Sequence, residues 1–244
     1  MNVMIIGGTS GIGLALARHY LGQGAQVAIC GRRPGRVDPE LTTQWPLLRL
    51  YGLDIGDQRA VGAALDDFAG GELDLLIVSA GMYVGAAEVA AEPASALAMA
   101  RTNVSGLNHA FEAAARRMTA RGSGHLVALA SVAGLIRDYP GGSLYSDNKR
   151  TVIALCDFYR KTLAPFAIPV TVVVPGYVDT ARLRELSGGD ASHKPFLMSE
   201  HAAVEKIAAA ISARRPRCVF PWQMHWMVTA FNWLPLPLRR LRKK

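Results

Sequence analysis

The apolar run Asn2–Ile6 passes directly into Gly7-Gly8-Thr9-Ser10-Gly11-Ile12-Gly13, and a helical pattern starts at once. No other stretch restricts the fold as much. A strand, a tight turn and a helix must follow one another without a spacer. Gly7, Gly11 and Gly13 remove side chains where the backbone turns sharply or approaches a ligand. The free N–H groups and the dipole at a helix N-terminus favour an anion, so such a turn suits a pyrophosphate. A glycine turn that serves structure alone is the competing reading. The spacing differs from the familiar G-x-G-x-x-G dinucleotide pattern.

Strand and helix patterns alternate through the rest of the chain. Strands are expected at residues 2–6, Gln26–Cys30, Leu47–Leu53, Leu73–Ser79, His125–Ser131, Val170–Val174 and Arg217–Phe220. Helices are expected at 11–22, near 57–69, across 92–121 as one or two pieces, at Ser143–Ala164 and at Ser199–Ala213. Asp179–Leu197 contains Gly188-Gly189, has no clean periodicity, and reads as a mobile loop or lid. This order predicts an α/β fold: one doubly wound parallel sheet of about seven strands with helices on both faces. At 244 residues, half of them hydrophobic, the chain can bury one large core. Residues 1–220 form the expected domain and 221–244 an added tail.

Several function classes fall away. The net charge is +8, but Arg239, Arg240, Arg242, Lys243 and Lys244 supply five positive charges at the very end. A nucleic-acid footprint would spread over a folded face, so no nucleic-acid partner is expected. Cys30, Cys156 and Cys218 are scattered and odd in number, which fits buried thiols of a cytoplasmic protein better than disulfides or a zinc site. His109, His125, His193 and His201 lack ligand spacing, so no metal is expected. Met1 leads almost directly into the first strand, without a signal-peptide pattern. No uninterrupted apolar run reaches the length of about 18 residues that suggests a spanning helix.

The chemistry-bearing residues fall at strand ends, where open α/β sheets bind ligands. After the second strand comes Gly31-Arg32-Arg33. A carboxylate there would hydrogen-bond the ribose 2′-hydroxyl of NAD and repel a 2′-phosphate. Gly31 instead leaves room, and Arg32 and Arg33 offer forked guanidinium donors to phosphate. This favours NADP; out of context both would read as solvated surface arginines. Asp54, followed by Ile55, is either a partner for the adenine amino group or a turn residue. Tyr145 and Lys149 lie one helical turn apart on one face. An ordinary tyrosine pKa of about 10 is high for proton transfer near neutrality, and a nearby ammonium would lower it.

Taken with Asn103, Ser131 and Pro175-Gly176-x-Val178-x-Thr180, these motifs resemble the short-chain dehydrogenase/reductase family, in its compact branch of about 250 residues. The resemblance covers roughly residues 1–220. It implies a Rossmann-type fold and an NADP(H)-dependent oxidoreductase that interconverts a ketone or aldehyde and an alcohol. It implies that Gly7, Thr9, Ser10, Gly11, Ile12, Gly13, Arg32, Arg33, Asp54, Ile55, Ala80 and Gly81 hold the adenosine and pyrophosphate. Pro175, Gly176, Val178 and Thr180 would embrace the nicotinamide end. Tyr145 would pass a proton, Lys149 would lower its pKa and bind the nicotinamide ribose, and Ser131 would hold the substrate oxygen. Asn103 would keep a water in a relay to Lys149. The family also implies a homodimer or homotetramer, paired through the helices that carry Asn103 and Tyr145. A non-catalytic NADP-sensing or scaffolding protein on the same fold is the alternative.

Three departures from the family pattern stand out. Ile6 occupies the place of a threonine, and Val78-Ser79 replaces a pair of asparagines before Ala80-Gly81. Ser131 lies one residue farther from Tyr145 than is usual, which residues 135–143 can absorb; Ser143 is the weaker stand-in. Met82, Tyr83, Tyr139 and Tyr177 are candidate substrate-pocket residues, or ordinary packing. The tail, with Trp222, Trp226 and Trp233 before its basic end, suits peripheral contact with a membrane surface. Packing on its own domain or on a second subunit suits it equally. Either way it favours an apolar, lipid-like substrate.

Overall fold

The structure is a computed structural model that describes residues 1–137 and 143–234. Tyr139 and the basic cluster at 239–244 lie outside these residues.

Seven parallel strands form the central sheet: β1 (Asn2–Ile6), β2 (Gln26–Gly31), β3 (Leu48–Gly52), β4 (Leu75–Val78), β5 (Leu126–Leu129), β6 (Val170–Pro175) and, last in the chain, Arg217–Phe220. Two short strands, β7 (Val178–Asp179) and β8 (Met198–Ser199), pair in parallel beside it, so the last strand is β9. The order across the main sheet is β3-β2-β1-β4-β5-β6-β9. The strand order reverses between β1 and β4, which opens the crevice where doubly wound sheets bind ligands.

The helices are α1 (Gly11–Gly22), α2 (Pro39–Gln44), α3 (Gln58–Asp67), α4 (Ala86–Ala91), α5 (Ala94–Ala100), α6 (Gly106–Arg121), α7 (Leu144–Leu163), α8 (Ala181–Leu186), α9 (Glu200–Ser212) and α10 (Trp222–Trp233). Alternate residues of each strand enter opposite cores. Val3 and Ile5 pack with Leu16, Tyr20, Ala203 and Ile207 from α1 and α9. Met4 and Ile6 pack on the other face with Val61, Phe111, Met118, Val152 and Cys156 from α3, α6 and α7. Strands β4 and β5 are buried throughout, as expected for parallel strands covered on both sides.

Residues 57, 143 and 199, expected inside helices, are caps instead. Asp57 accepts the N–H groups of Arg59 and Ala60, Ser143 that of Ser146, and Ser199 that of Ala202. Such caps satisfy donors that the first helical turn leaves open. The long helical stretch around Asn103 is α5 and α6 joined by a π-turn at Arg101–Ser105.

The segment expected as a lid is more ordered than its sequence suggested. Thr180 caps α8 by accepting the Leu183 N–H, and β7 and β8 tie both ends together. The departures at 6 and 78 also find an explanation. Ile6 and Val78 are register partners on adjacent strands, both nearly inaccessible and in one apolar cluster. A hydrophobic pair occupies the place where the family pattern has polar residues.

The tail folds back as α10. Val228 is buried, and Met224 packs against the core. A side chain at Gly176 would lie 2.4 Å from Met224 Sδ. The inward face of α10 therefore packs on its own domain. Its outward face leaves Trp222, Trp226 and Trp233 exposed.

Candidate active site

A cavity of about 1150 Å³ runs across the C-terminal ends of β1, β2, β4, β5 and β6. At one end it is walled by Gly7, Thr9, Ser10, Gly11 and Ile12. Gly7 has φ +86°, and a Cβ there would sit 2.3 Å from the Ala80 nitrogen. Gly13 does not line the cavity; a Cβ on it would lie 2.2 Å from the Gly7 carbonyl oxygen. Its task is to let α1 start hard against the turn. The result is a backbone turn whose close packing side chains would break, set at a helix N-terminus.

Gly31, Arg32, Asp54, Ile55, Ala80 and Gly81 continue the wall. A Cβ at Gly31 would meet Thr9 Oγ1 at 2.6 Å, which keeps this corner open. Arg32 faces the cavity and Arg33 does not, because the chain turns away into the short helix Pro34–Arg36. Asp54 fits both of its expected readings: Oδ1 accepts the Gly56 N–H at 2.8 Å while the residue borders the cavity.

At the other end, Ser131, Tyr145 and Lys149 meet. Ser131 comes from the turn after β5, and the other two from one face of α7. Gly134 lets that turn pack against α7, since a Cβ would sit 2.6 Å from the Lys149 carbonyl carbon. Lys149 is buried and donates to the Leu129 carbonyl at 3.0 Å, with Nζ 5.8 Å from the centre of the Tyr145 ring. Burial pushes the Lys149 ammonium down to about 8. Burial also holds the Tyr145 phenol above its ordinary value, while its hydrogen bond with Ser131 pulls the other way and Tyr83 adds to the rise. Desolvation is the largest influence on Tyr145, and the neighbour that lowers its value here is Ser131 rather than Lys149.

The Asn103 side chain is buried directly behind Gly81, on the side where Lys149 Nζ also lies, accepting the Met82 N–H at 2.7 Å and donating to the Met82 carbonyl at 2.8 Å. A carboxamide committed twice to one peptide unit holds the loop after Gly81 rather than facing solvent. Ser143 borders the cavity but spends its hydroxyl on the α7 cap.

Pro175, Gly176, Val178 and Thr180 line the same cavity. So do Met82, Tyr83 and Tyr177, with the Tyr83 ring edge-on to Tyr145 at 5.1 Å between centroids. Arg182, Leu183 and Lys194, from a segment in which sequence placed specificity without naming residues, also line it, as do Met224 and Val228 of the tail. Only the apolar periodicity of the tail hinted at the last two. His125 is buried and bonded to Thr171 Oγ1 at 2.8 Å. Thr171 gives its own proton to the Arg215 carbonyl, so His125 Nε2 is the donor in that pair.

Residues 1–190 match the family described as short chain dehydrogenase. An uncharacterized oxidoreductase of Mycobacterium tuberculosis is 32% identical over 99% of this chain and 96% of its own length. Another, from Myxococcus xanthus, is 31% identical over 98% of this chain and 96% of its own. Among solved structures, a short-chain dehydrogenase from Sphingobium yanoikuyae in complex with NADPH superposes with a TM-score of 0.81. It covers 94% of this chain and 92% of its own at 23% identity, a likeness of fold. With a sheet, a cradle and a sequence match that agree, this oxidoreductase belongs to the short-chain dehydrogenase/reductase family.

Proposed function

We propose that the chain binds NADP(H) in preference to NAD(H) and interconverts a ketone or aldehyde with an alcohol on a substrate with an apolar body. One observation carries this reading. The backbone cradle at Gly7–Ile12 and the group Ser131, Tyr145 and Lys149 border a single cavity, so a dinucleotide laid along it would end beside a proton donor. The cradle suits a pyrophosphate because it opens onto a helix N-terminus, and its shape needs Gly7, where a Cβ would collide with the Ala80 backbone. Arg32, with no carboxylate at position 31, supports the choice of a 2′-phosphate.

When bound, the cofactor supplies a hydride to the carbonyl carbon. Tyr145 Oη gives its proton to the carbonyl oxygen, so an alcohol leaves and the proton is restored from solvent. Burial keeps that phenol protonated, the state an acid needs for reduction. Ser131 Oγ orients the oxygen, and Lys149 holds the ribose hydroxyls and a positive charge near the phenolate that forms. Asn103 is a positioning residue, fixing Met82 and with it the Gly81 backbone. Met82, Tyr83, Leu183, Met224 and Val228 make the substrate wall largely apolar. A protein that only sensed NADP would have no use for this proton-donating group.

The test is NADPH consumption across a panel of ketones and aldehydes. Tyr145→Phe should lower kcat at least about a hundredfold while NADPH still binds. An undiminished rate in that variant would remove Tyr145 from the chemistry.

The outward face of α10 supports a second reading, contact with an anionic membrane surface. Trp222, Trp226 and Trp233 fall within about 40° of one another at 100° per residue, and five basic residues follow them. No helix among the described residues is long and apolar enough to cross a membrane. Replacing the three tryptophans by glutamine should abolish sedimentation with anionic vesicles; equal sedimentation of both proteins would refute the contact. A homodimer or homotetramer through α6 and α7 also fits, since α7 leaves Phe158 61% exposed.

A further inference from the structure

The charges around the cavity are unevenly distributed. Arg32 and Asp54 stand at the adenosine end and Lys149 at the chemical centre, whereas Arg182 and Lys194 come from the segment between β7 and β8, which reaches the cavity wall with Lys194 beside Tyr177. Among the described residues, Asp54 is the one carboxylate that borders the cavity. Arg182 is partly answered by Glu185, bonded at 2.7 Å on the exposed face of α8. Lys194 forms no ion pair among the described residues. It is nevertheless placed rather than trailing in solvent. Its N–H donates to the Ala191 carbonyl at 2.9 Å, and Ala191 is buried. Asp190 ties the same turn through both the N–H and the hydroxyl of Ser192. Its ammonium rests over the Tyr177 ring, 5.6 Å from the centroid, a contact that holds a cation over an aromatic face. Tyr177 directly follows Gly176, which also borders the cavity.

An apolar wall that ends in an unanswered, oriented cation is suited to a particular shape of molecule. We propose that Lys194, seconded by Arg182, forms an anion subsite, and that the substrate carries a terminal carboxylate or phosphate monoester separated by an apolar chain from its carbonyl. The inference rests on the carbonyl-reductase reading above and narrows its substrate class. The apolar segment would lie along Met224, Val228, Leu183 and Tyr83. The anion would then sit at the mouth, where it keeps contact with water and needs no complete desolvation. The remote cation would also fix which end of the molecule enters first, presenting one carbonyl to Tyr145.

The experiment measures kcat/KM with NADPH for a series of keto acids of increasing chain length, each beside its methyl ester and the corresponding keto-alkyl phosphate. One charge-assisted contact at a partly open site should favour the matching anion over the neutral ester by about tenfold. Acid and phosphate arms distinguish the two anions. Lys194→Met should erase the preference, and Lys194→Glu should reverse it toward the ester, with NADPH affinity, read by fluorescence titration, unaltered in both. Equal use of acid and ester by the wild type, or a preference that survives Lys194→Met, would overturn the subsite. So would a fall in NADPH affinity that accounts for the loss, since the lysine would then serve the cofactor. If no carbonyl of any kind is reduced, it is the underlying reductase reading that fails.

Discussion

The Asn232 carboxamide donates to the Leu135 carbonyl at 2.8 Å, and its oxygen accepts the Arg137 N–H at 2.8 Å. The last helix is thereby fastened to the turn that begins at Ser131. Arg150, on α7 beside Lys149, reaches the Ile136 carbonyl in the same turn from the other side. The proposed proton site is thus framed by two elements far apart in sequence.

Removing this clamp should affect catalysis through position rather than chemistry. Asn232→Ala loses both bonds, and the turn should gain mobility. We expect kcat/KM to fall about tenfold, on the scale of one to two net hydrogen bonds. Amide hydrogen exchange should rise at residues 132–137, with NADPH affinity retained. Asn232→Asp keeps the acceptor for Arg137 and should recover part of the loss. Unchanged exchange in the alanine variant would show that the clamp holds nothing.

Burying Lys149 carries a cost in stability. Its pKa falls from the ordinary lysine value to about 8 in the folded chain. Between that value and the unfolded one, the unfolded chain binds the extra proton. Stability therefore rises as pH climbs through this window, and at neutral pH the buried charge costs about 3 kcal/mol. Lys149→Met should be inactive yet unfold at a higher temperature at pH 7, with a flatter stability profile between about pH 8 and 10. A lower Tm at pH 7 would mean that the bond to Leu129 outweighs desolvation.

His125 behaves in the opposite pH range. Burial, with help from Arg214, lowers its pKa to about 4. As pH falls below the unfolded value near 6.5, the unfolded chain takes up a proton that the folded chain refuses. Stability should decline progressively from about pH 6.5 to 4. His125→Gln, which can still donate to Thr171, should blunt that decline in chemical denaturation curves. An identical pH profile would exclude His125 as its source.

Arg32 and Arg33 make a matched pair for testing cofactor choice. Only Arg32 borders the cavity. Arg32→Ala should weaken NADPH about tenfold or more with little change for NADH, whereas Arg33→Ala should leave the ratio of the two affinities near its starting value. Equal losses in both variants would point to general charge rather than a specific contact.

How far the sequence could be read depended on distance along the chain. The glycine turn and the Tyr145–Lys149 spacing are local patterns, so strand, turn and helix periodicity were enough to place them. The parallel sheet of about seven strands followed from the same alternation, while their order across the sheet is seen only in the fold. What failed was non-local or directional. Asn103 shows only an amide in sequence, and its partner, Met82, is found by folding π-turn against loop. Arg32 and Arg33 are indistinguishable until the turn at Pro34 separates them. Thr180 was read for the cofactor, but nothing in its neighbours announced that it would also cap a helix inside the supposed lid. The tail's composition revealed an apolar helix; only Met224, Val228 and Asn232 reveal which side of it docks.

Gly31 carries a last implication through Thr9. Any side chain at 31 would collide with the threonine hydroxyl, 2.6 Å from the nearest added carbon. Installing an acidic residue there, the direct route to an NAD-selective enzyme, is consequently not a one-step mutational path. Position 9 must shrink or move first, and position 9 belongs to the phosphate turn. Positions 9 and 31 are mechanically interlocked, so a change at one is expected to require a change at the other.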